Sequence, residues 1–144
     1  MPIRFLKPGE THELRRTVLR PQQPVEEMEW SMDRAEGSFH VGFEEQGELV
    51  CIASFLKERN DRLRGWAQYR LRGMAVPPSH QRHGFGRRVL LFGLEHARHM
   101  KADLVWCNAR EGAVTFYARA GFVAEGTPFA IEGIGLHQLM YLRL

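Results

Sequence analysis

The sequence is poor in cysteine and has no long hydrophobic run, internal repeat or low-complexity tract. Its two cysteines, Cys51 and Cys107, form no CxxC pair and have no zinc-type companion. That argues against a disulfide scaffold or zinc ribbon and makes a reducing cytoplasm the expected compartment. The longest apolar run, Val89 to Leu94, is six residues including a glycine, far short of the ~18 that a membrane span needs. The N-terminal stretch is charged from Arg4 onward, so neither a secretory segment nor a membrane partner is expected. With 44% hydrophobic and 26% charged residues, the chain does not read as disordered, collagenous or coiled-coil. Its 144 residues suit one domain, residues 1–144, with an ordinary core.

Charge is present in unequal shares. Residues 26–48 hold eight acids against Arg34 alone, whereas residues 49–101 hold eleven bases against Glu58, Asp61 and Glu95. The basic half suggests an anionic ligand, and the acidic run could steer a cationic one. Taken by themselves, such charge clusters read as solvated faces.

The elements read as an α/β chain, an α+β arrangement around a mixed sheet. Ile3 to Leu6 reads as a first strand. Thr11 can cap a helix through Arg20 with Leu14, Val18 and Leu19 on its apolar side. Strands 38–44 and 48–56 flank Gln46-Gly47, a hairpin signal. Residues 67–76 alternate and then turn apolar, stopped by Pro77-Pro78. A helix follows over 84–101, a buried strand over 104–107, and a short helix over 112–120 ended by Gly121. Strands over 122–124 and 136–142 close the sheet.

The most informative stretch joins the strand at Met74, Ala75 and Val76 to the long helix through Gln81-Arg82-His83-Gly84-Phe85-Gly86-Arg87. Glycines let backbone approach a ligand, and first-turn amides with the helix dipole favour an anion such as phosphate. A Walker A loop fails for want of its lysine. A dinucleotide fingerprint fails because Val89 stands where a third small residue belongs. A pyrophosphate loop of the form Gln/Arg-x-x-Gly-x-Gly/Ala fits residues 81–86.

In that context "MAVPPSHQRHGFGRRVL" resembles the strand–loop–helix of the GNAT family of N-acetyltransferases. About 30 residues on, "CNAREGAVTFYARAGF" is similar to the family's second signature. The resemblance spans about residues 38–125. It implies a central, mostly antiparallel sheet flanked by helices, and acetyl transfer from acetyl-CoA directly to an amine. It also implies that the amides of Arg82, His83, Gly84, Phe85, Gly86 and Arg87 cradle the pyrophosphate, with Gln81 shaping the loop. Backbone groups of Met74, Ala75 and Val76 would bind the pantetheine arm where this strand splays from its neighbour. Tyr117 matches the tyrosine that protonates the departing thiolate, though a tyrosine beside Phe116 could simply pack. Asn108 would contact the arm or the acceptor, or else cap the next helix.

The base is left open among Glu132 and His137 in the last hairpin, with His40, Glu29 and a water chain as further candidates. The acidic residues 26–36 suggest an acceptor wall and hence a cationic amine. A homodimer is compatible. An inactive acyl-CoA sensor is the first rival. A nucleic-acid binder using the basic Arg62–Arg72 strand is the second, although its period-two alternation reads as one face of a sheet. His80/His83 and His96/His99 have i,i+3 spacing but no third ligand in place, so no metal is expected.

Overall fold

Gln46 and Gly47 both take positive φ, 52° and 82°, the backbone that a tight hairpin matching strand twist demands. They join strand β2 (Phe39–Glu45) to β3 (Glu48–Leu56). The structure, a computed structural model, describes residues 2–144; Met1, counted in the expected 1–144 domain, lies outside the described residues. Around that hairpin one sheet assembles in the order β1-β2-β3-β4-β5-β8-β6. Its other strands are β1 (Ile3–Leu6), β4 (Gln68–Ala75), β5 (Leu104–Arg110), β6 (Val123–Ala124), β7 (Phe129–Ile131) and β8 (Gly135–Arg143). Strand β7 pairs with β8 alone. Among the described residues only β4 and β5 run parallel.

Between β4 and β5 lies the long helix α2 (Phe85–His99), and after β5 the short helix α3 (Val114–Arg119). Val89, Leu90, Leu94 and Ala97 of α2 are buried against Tyr69, Leu71, Val105 and Cys107 of the sheet. Gly93 allows this closeness, because a Cβ there would overlap the Phe55 ring. Burial pushes the thiols of Cys51 and Cys107 up to about 12, so both behave as small inert hydrophobes.

The first helix differs from the sequence expectation. A composite helix, α1 (residues 8–19), begins ahead of Thr11 as a 3-10 turn over Pro8–Thr11, then continues as α over His12–Leu14 and π over Arg15–Leu19. Thr11 does not cap it; its hydroxyl donates to Pro8 O at 2.7 Å. Pro8 loses no hydrogen bond in the first turn, and the Glu10 carboxylate takes the Lys7 N–H instead. Leu14, Val18 and Leu19 pack on Leu6, Ile52 and Ala75, on the sheet face opposite α2.

The strand over 67–76 is also shorter than its alternation suggested. Trp66 is 92% exposed, and its N–H and that of Ala67 donate to the Asp103 carboxylate. Gln68 is buried, its side-chain amide donating to the carbonyls of Leu63 and Gly65. Beyond it the polar face carries Arg70 against Glu58 at 3.1 Å and Arg72 over the Trp30 ring.

Candidate active site

The parallel pair is short, and this shortness makes the site. Strands β4 and β5 align only at Gln68↔Leu104, Tyr69↔Val105 and Arg70↔Trp106. Past that point β5 stays with β8 as far as Arg110↔His137, while β4 stays with β3 as far as Ala75. A bulge against β3 accompanies the divergence, with Gly73 at φ +72°. A cleft of about 590 Å³ occupies the opening, lined from both sheet faces. Gly86, Phe116 and Tyr117 border it on the helical side; Trp30, Arg72 and His137 border it on the other.

At the helical rim, Gln81 donates from Nε2 to Val76 O at 2.9 Å, folding the loop back on the strand end. Arg82 and Gly84 take φ of 66° and 80°. The first backbone bond into α2 is Arg88 N–H to Gly84 O. The six preceding amides, of Arg82, His83, Gly84, Phe85, Gly86 and Arg87, donate to no acceptor among the described residues. Six unspent donors at the N-terminus of a fifteen-residue helix, beside Arg82, Arg87 and Arg88, suit a pyrophosphate. Gly86 faces the cleft, where a Cβ would sit 3.5 Å from the Phe116 ring.

Deeper in, Tyr117 is buried on α3 between Phe116 and Phe122. Burial, then the neighbouring Cys107 and Cys51, raises its pKa strongly, so the phenol keeps its proton throughout the working pH range. Met74 also lines the throat, its sulfur 4.0 Å from Cys51 Sγ. Asn108 does not cap a helix: β5 continues past it to Arg110, which precedes the next turn. Alternation along β5 puts Asn108 on the face away from Cys107 and Ala109, with Trp106 and Arg110.

His137 pairs with Arg110 and lines the cleft on that same face. Its Nδ1 lies 2.9 Å from Gly135 O. A carbonyl only accepts, so Nδ1 carries the hydrogen, and in the neutral ring Nε2 is the nitrogen with the free lone pair. Glu132 lies in the exposed β7–β8 turn, outside the cleft lining. His40 is buried elsewhere, its Nδ1 at 2.7 Å from Ser54 Oγ and its Nε2 at 2.9 Å from Asp33 O. Glu29 is taken up by Arg34 at 2.9 Å.

The acidic run does not form the expected wall for a cationic amine. Asp33 turns inward, both its oxygens bound by Arg15 at 2.6 and 2.9 Å, and Glu29 spends its charge on Arg34. The cleft is instead lined by Arg20, Arg70, Arg72 and Arg110, with no carboxylate among the described residues. Sequence reading missed Arg20, Trp30 and Arg110 as site residues. Arg20 and Arg110 meet at the Leu19 carbonyl from ninety residues apart, a proximity no local pattern announces. Arg72 was visible only as part of a basic strand.

A sheet opened at its parallel pair, with an amide cradle on one face and a polar chamber on the other, is the architecture of acyl-CoA N-acyltransferases. The family described as Acetyltransferase (GNAT) domain matches residues 8–144. The chain is 37% identical to the uncharacterized N-acetyltransferase YitI of Bacillus subtilis (strain 168), over all of this chain and 97% of that protein. Among solved structures it resembles an aminoglycoside 6'-N-acetyltransferase complexed with coenzyme A, at TM-score 0.78, 14% identity and 99% and 97% coverage of the two chains. It also resembles Escherichia coli ElaA, at TM-score 0.77, 19% identity and 96% and 97% coverage. The chain belongs to the GNAT acetyltransferase family and is an acyltransferase enzyme. Among the described residues no helix is long and apolar enough to cross a membrane.

Proposed function

We propose that the protein, a single domain over residues 1–144, acetylates a primary amine directly from acetyl-CoA. The observation that carries this reading is the run of six unspent amides at 82–87, opening onto a cleft that crosses the sheet. The bound coenzyme supplies an activated acetyl group, whose carbonyl carbon bonds to the amine nitrogen as the carbon–sulfur bond breaks. Arg82, His83, Gly84, Phe85, Gly86 and Arg87 hold the pyrophosphate by their amides, and Gln81 keeps the loop in place. The edges of Met74, Ala75 and Val76, freed from β5, take the extended arm, with Asn108 across the opening.

Tyr117 is the acid. Its high pKa would make it a poor donor to a thiolate in water, but the leaving sulfur does not depart into water. Burial beside Tyr117 and Cys107 favours the neutral thiol over the thiolate, so the phenol proton has a basic acceptor. His137 Nε2 is the base that receives the amine proton. Glu132, at the mouth of the last hairpin, is a candidate to help bring in the acceptor.

Calorimetric titration with acetyl-CoA, beside Gly86→Glu, tests the cofactor. Gly86 has ordinary helical backbone, so glutamate there places a carboxylate in the cleft without backbone strain. Micromolar binding in the native protein and its loss in the variant are expected. Native protein that ignores millimolar acetyl-CoA overturns the reading, and binding without thiol release for any amine leaves the sensor.

A further inference from the structure

Three guanidinium groups converge on the acceptor side of the cleft, and among the described residues no carboxylate pairs with any of them. Arg20 and Arg110 both donate to one carbonyl, Leu19 O, at 3.2 and 3.1 Å, so two like charges are held side by side. Arg72 lies 4.0 Å over the Trp30 ring and makes no side-chain hydrogen bond among the described residues. None of the three forms an ion pair with a carboxylate among the described residues, although Arg70 beside them has Glu58. All three line the cleft that holds His137 and Tyr117.

The alternation of strands fixes why they meet. Arg72 and Arg110 point to the same sheet face, on either side of the β4–β5 gap, and Arg20 arrives at the end of α1. Burial, followed by repulsion from Arg70 and Arg20 and against the weaker pull of Glu58, pushes Arg72 down to about 10. Burial and Arg110 likewise lower Arg20. Water and π contact compensate such a cluster incompletely, whereas an oxyanion accepts several of its free N–H groups at once.

We propose that Arg20, Arg72 and Arg110 form a subsite for an oxyanion carried by the acceptor, so that the substrate is a small amine bearing a carboxylate or phosphate. This rests on the acetyltransferase reading and specifies its substrate class. Trp30, whose ring lies under the Arg72 guanidinium, serves as a positioning residue. The subsite inverts the expectation of a cationic acceptor, because the charge complementarity of the cleft now runs the other way.

The test is thiol release from acetyl-CoA with chain-matched amines: an ω-amino carboxylate, an aminoalkyl phosphate, a neutral alkylamine and a diamine. The carboxylate or the phosphate compound should exceed the neutral amine and the diamine in kcat/KM at least tenfold, and whichever leads names the oxyanion. Arg72→Gln and Arg110→Gln should each raise KM for that amine about tenfold, leaving KM for acetyl-CoA within twofold. A diamine as the best acceptor, or an unchanged amine KM in both variants, overturns the subsite. Should no amine release thiol, acetylation fails, and calorimetry on the CoA-loaded protein decides the subsite separately. Saturable binding of an anionic amine, lost in folded Arg72→Gln, supports it; no binding overturns it.

Discussion

Two arginines pack over the same indole and have opposite circumstances. Arg15 lies 3.8 Å from the Trp30 ring and Arg72 lies 4.0 Å from it. Arg15 is fully buried, yet its Nη1 and Nη2 are satisfied by Asp33, Ser54 Oγ and Met28 O. Arg72 is half-buried and, among the described residues, its guanidinium has only the indole. A charge surrounded by fixed acceptors ties elements together, here α1, the segment carrying Asp33, and β3. A charge held in place but left unbalanced is available to a ligand. The acidic run met in the sequence serves the first arginine and leaves the second free.

Breaking the satisfied side should have the largest effect. Asp33→Ala strands the Arg15 guanidinium in the core and should cost about 3–5 kcal/mol of unfolding free energy, read by urea denaturation. Arg72→Met, by contrast, should change stability by less than about 1 kcal/mol. If the two variants destabilise equally, the contrast between the arginines is wrong.

Tyr117→Phe sharpens the catalytic half of the picture. The hydroxyl makes no hydrogen bond among the described residues, so melting should barely move while kcat falls about a hundredfold. A kcat within twofold of the native enzyme would assign thiolate protonation to another group or to water.

The smallest predicted effect is a pH slope in stability. His40 Nε2 donates to Asp33 O at 2.9 Å, since a carbonyl only accepts, and Nδ1 lies 2.7 Å from Ser54 Oγ, whose hydroxyl the neutral ring can accept. Burial, then the charges of Arg15 and Arg34, lowers its pKa despite Asp33. The unfolded chain therefore binds the extra proton first, and stability should fall as pH drops below about 6.5. Asp33 adds to the fall at lower pH. Burial works to raise its pKa, but Arg15 and the Trp30 amide hold it below the ordinary carboxylate range. Its contribution is present above about pH 4 and lost as pH falls through the folded value. His40→Gln should flatten the melting-temperature slope between pH 6.5 and 5; an unaltered slope would locate the titrating group elsewhere.

Local chemistry made much of this molecule legible. The hairpin at Gln46-Gly47, the proline stop after Val76 and the glycine loop into α2 are each written in adjacent residues, because turn backbone and helix N-termini are short-range affairs. The start of α1 was misread because Pro8 and Glu10 out-compete Thr11, a choice between two local signals. The alternation over 67–76 put Gln68 on one face of its strand but did not show what covers that face, and Gln68 is buried.

The strand–loop–helix that presents the unspent amides follows from adjacent residues, since φ, capping and hydrogen-bond supply depend on near neighbours. Where charge is spent depends instead on contacts that exist only in the folded chain. Asp33 is eighteen residues from Arg15 and Arg110 is ninety-one from Leu19. Composition counts such charges without pairing them. Coulomb interactions and desolvation depend on distance and burial, which the chain acquires only when β4 and β5 part and α1 folds over the gap.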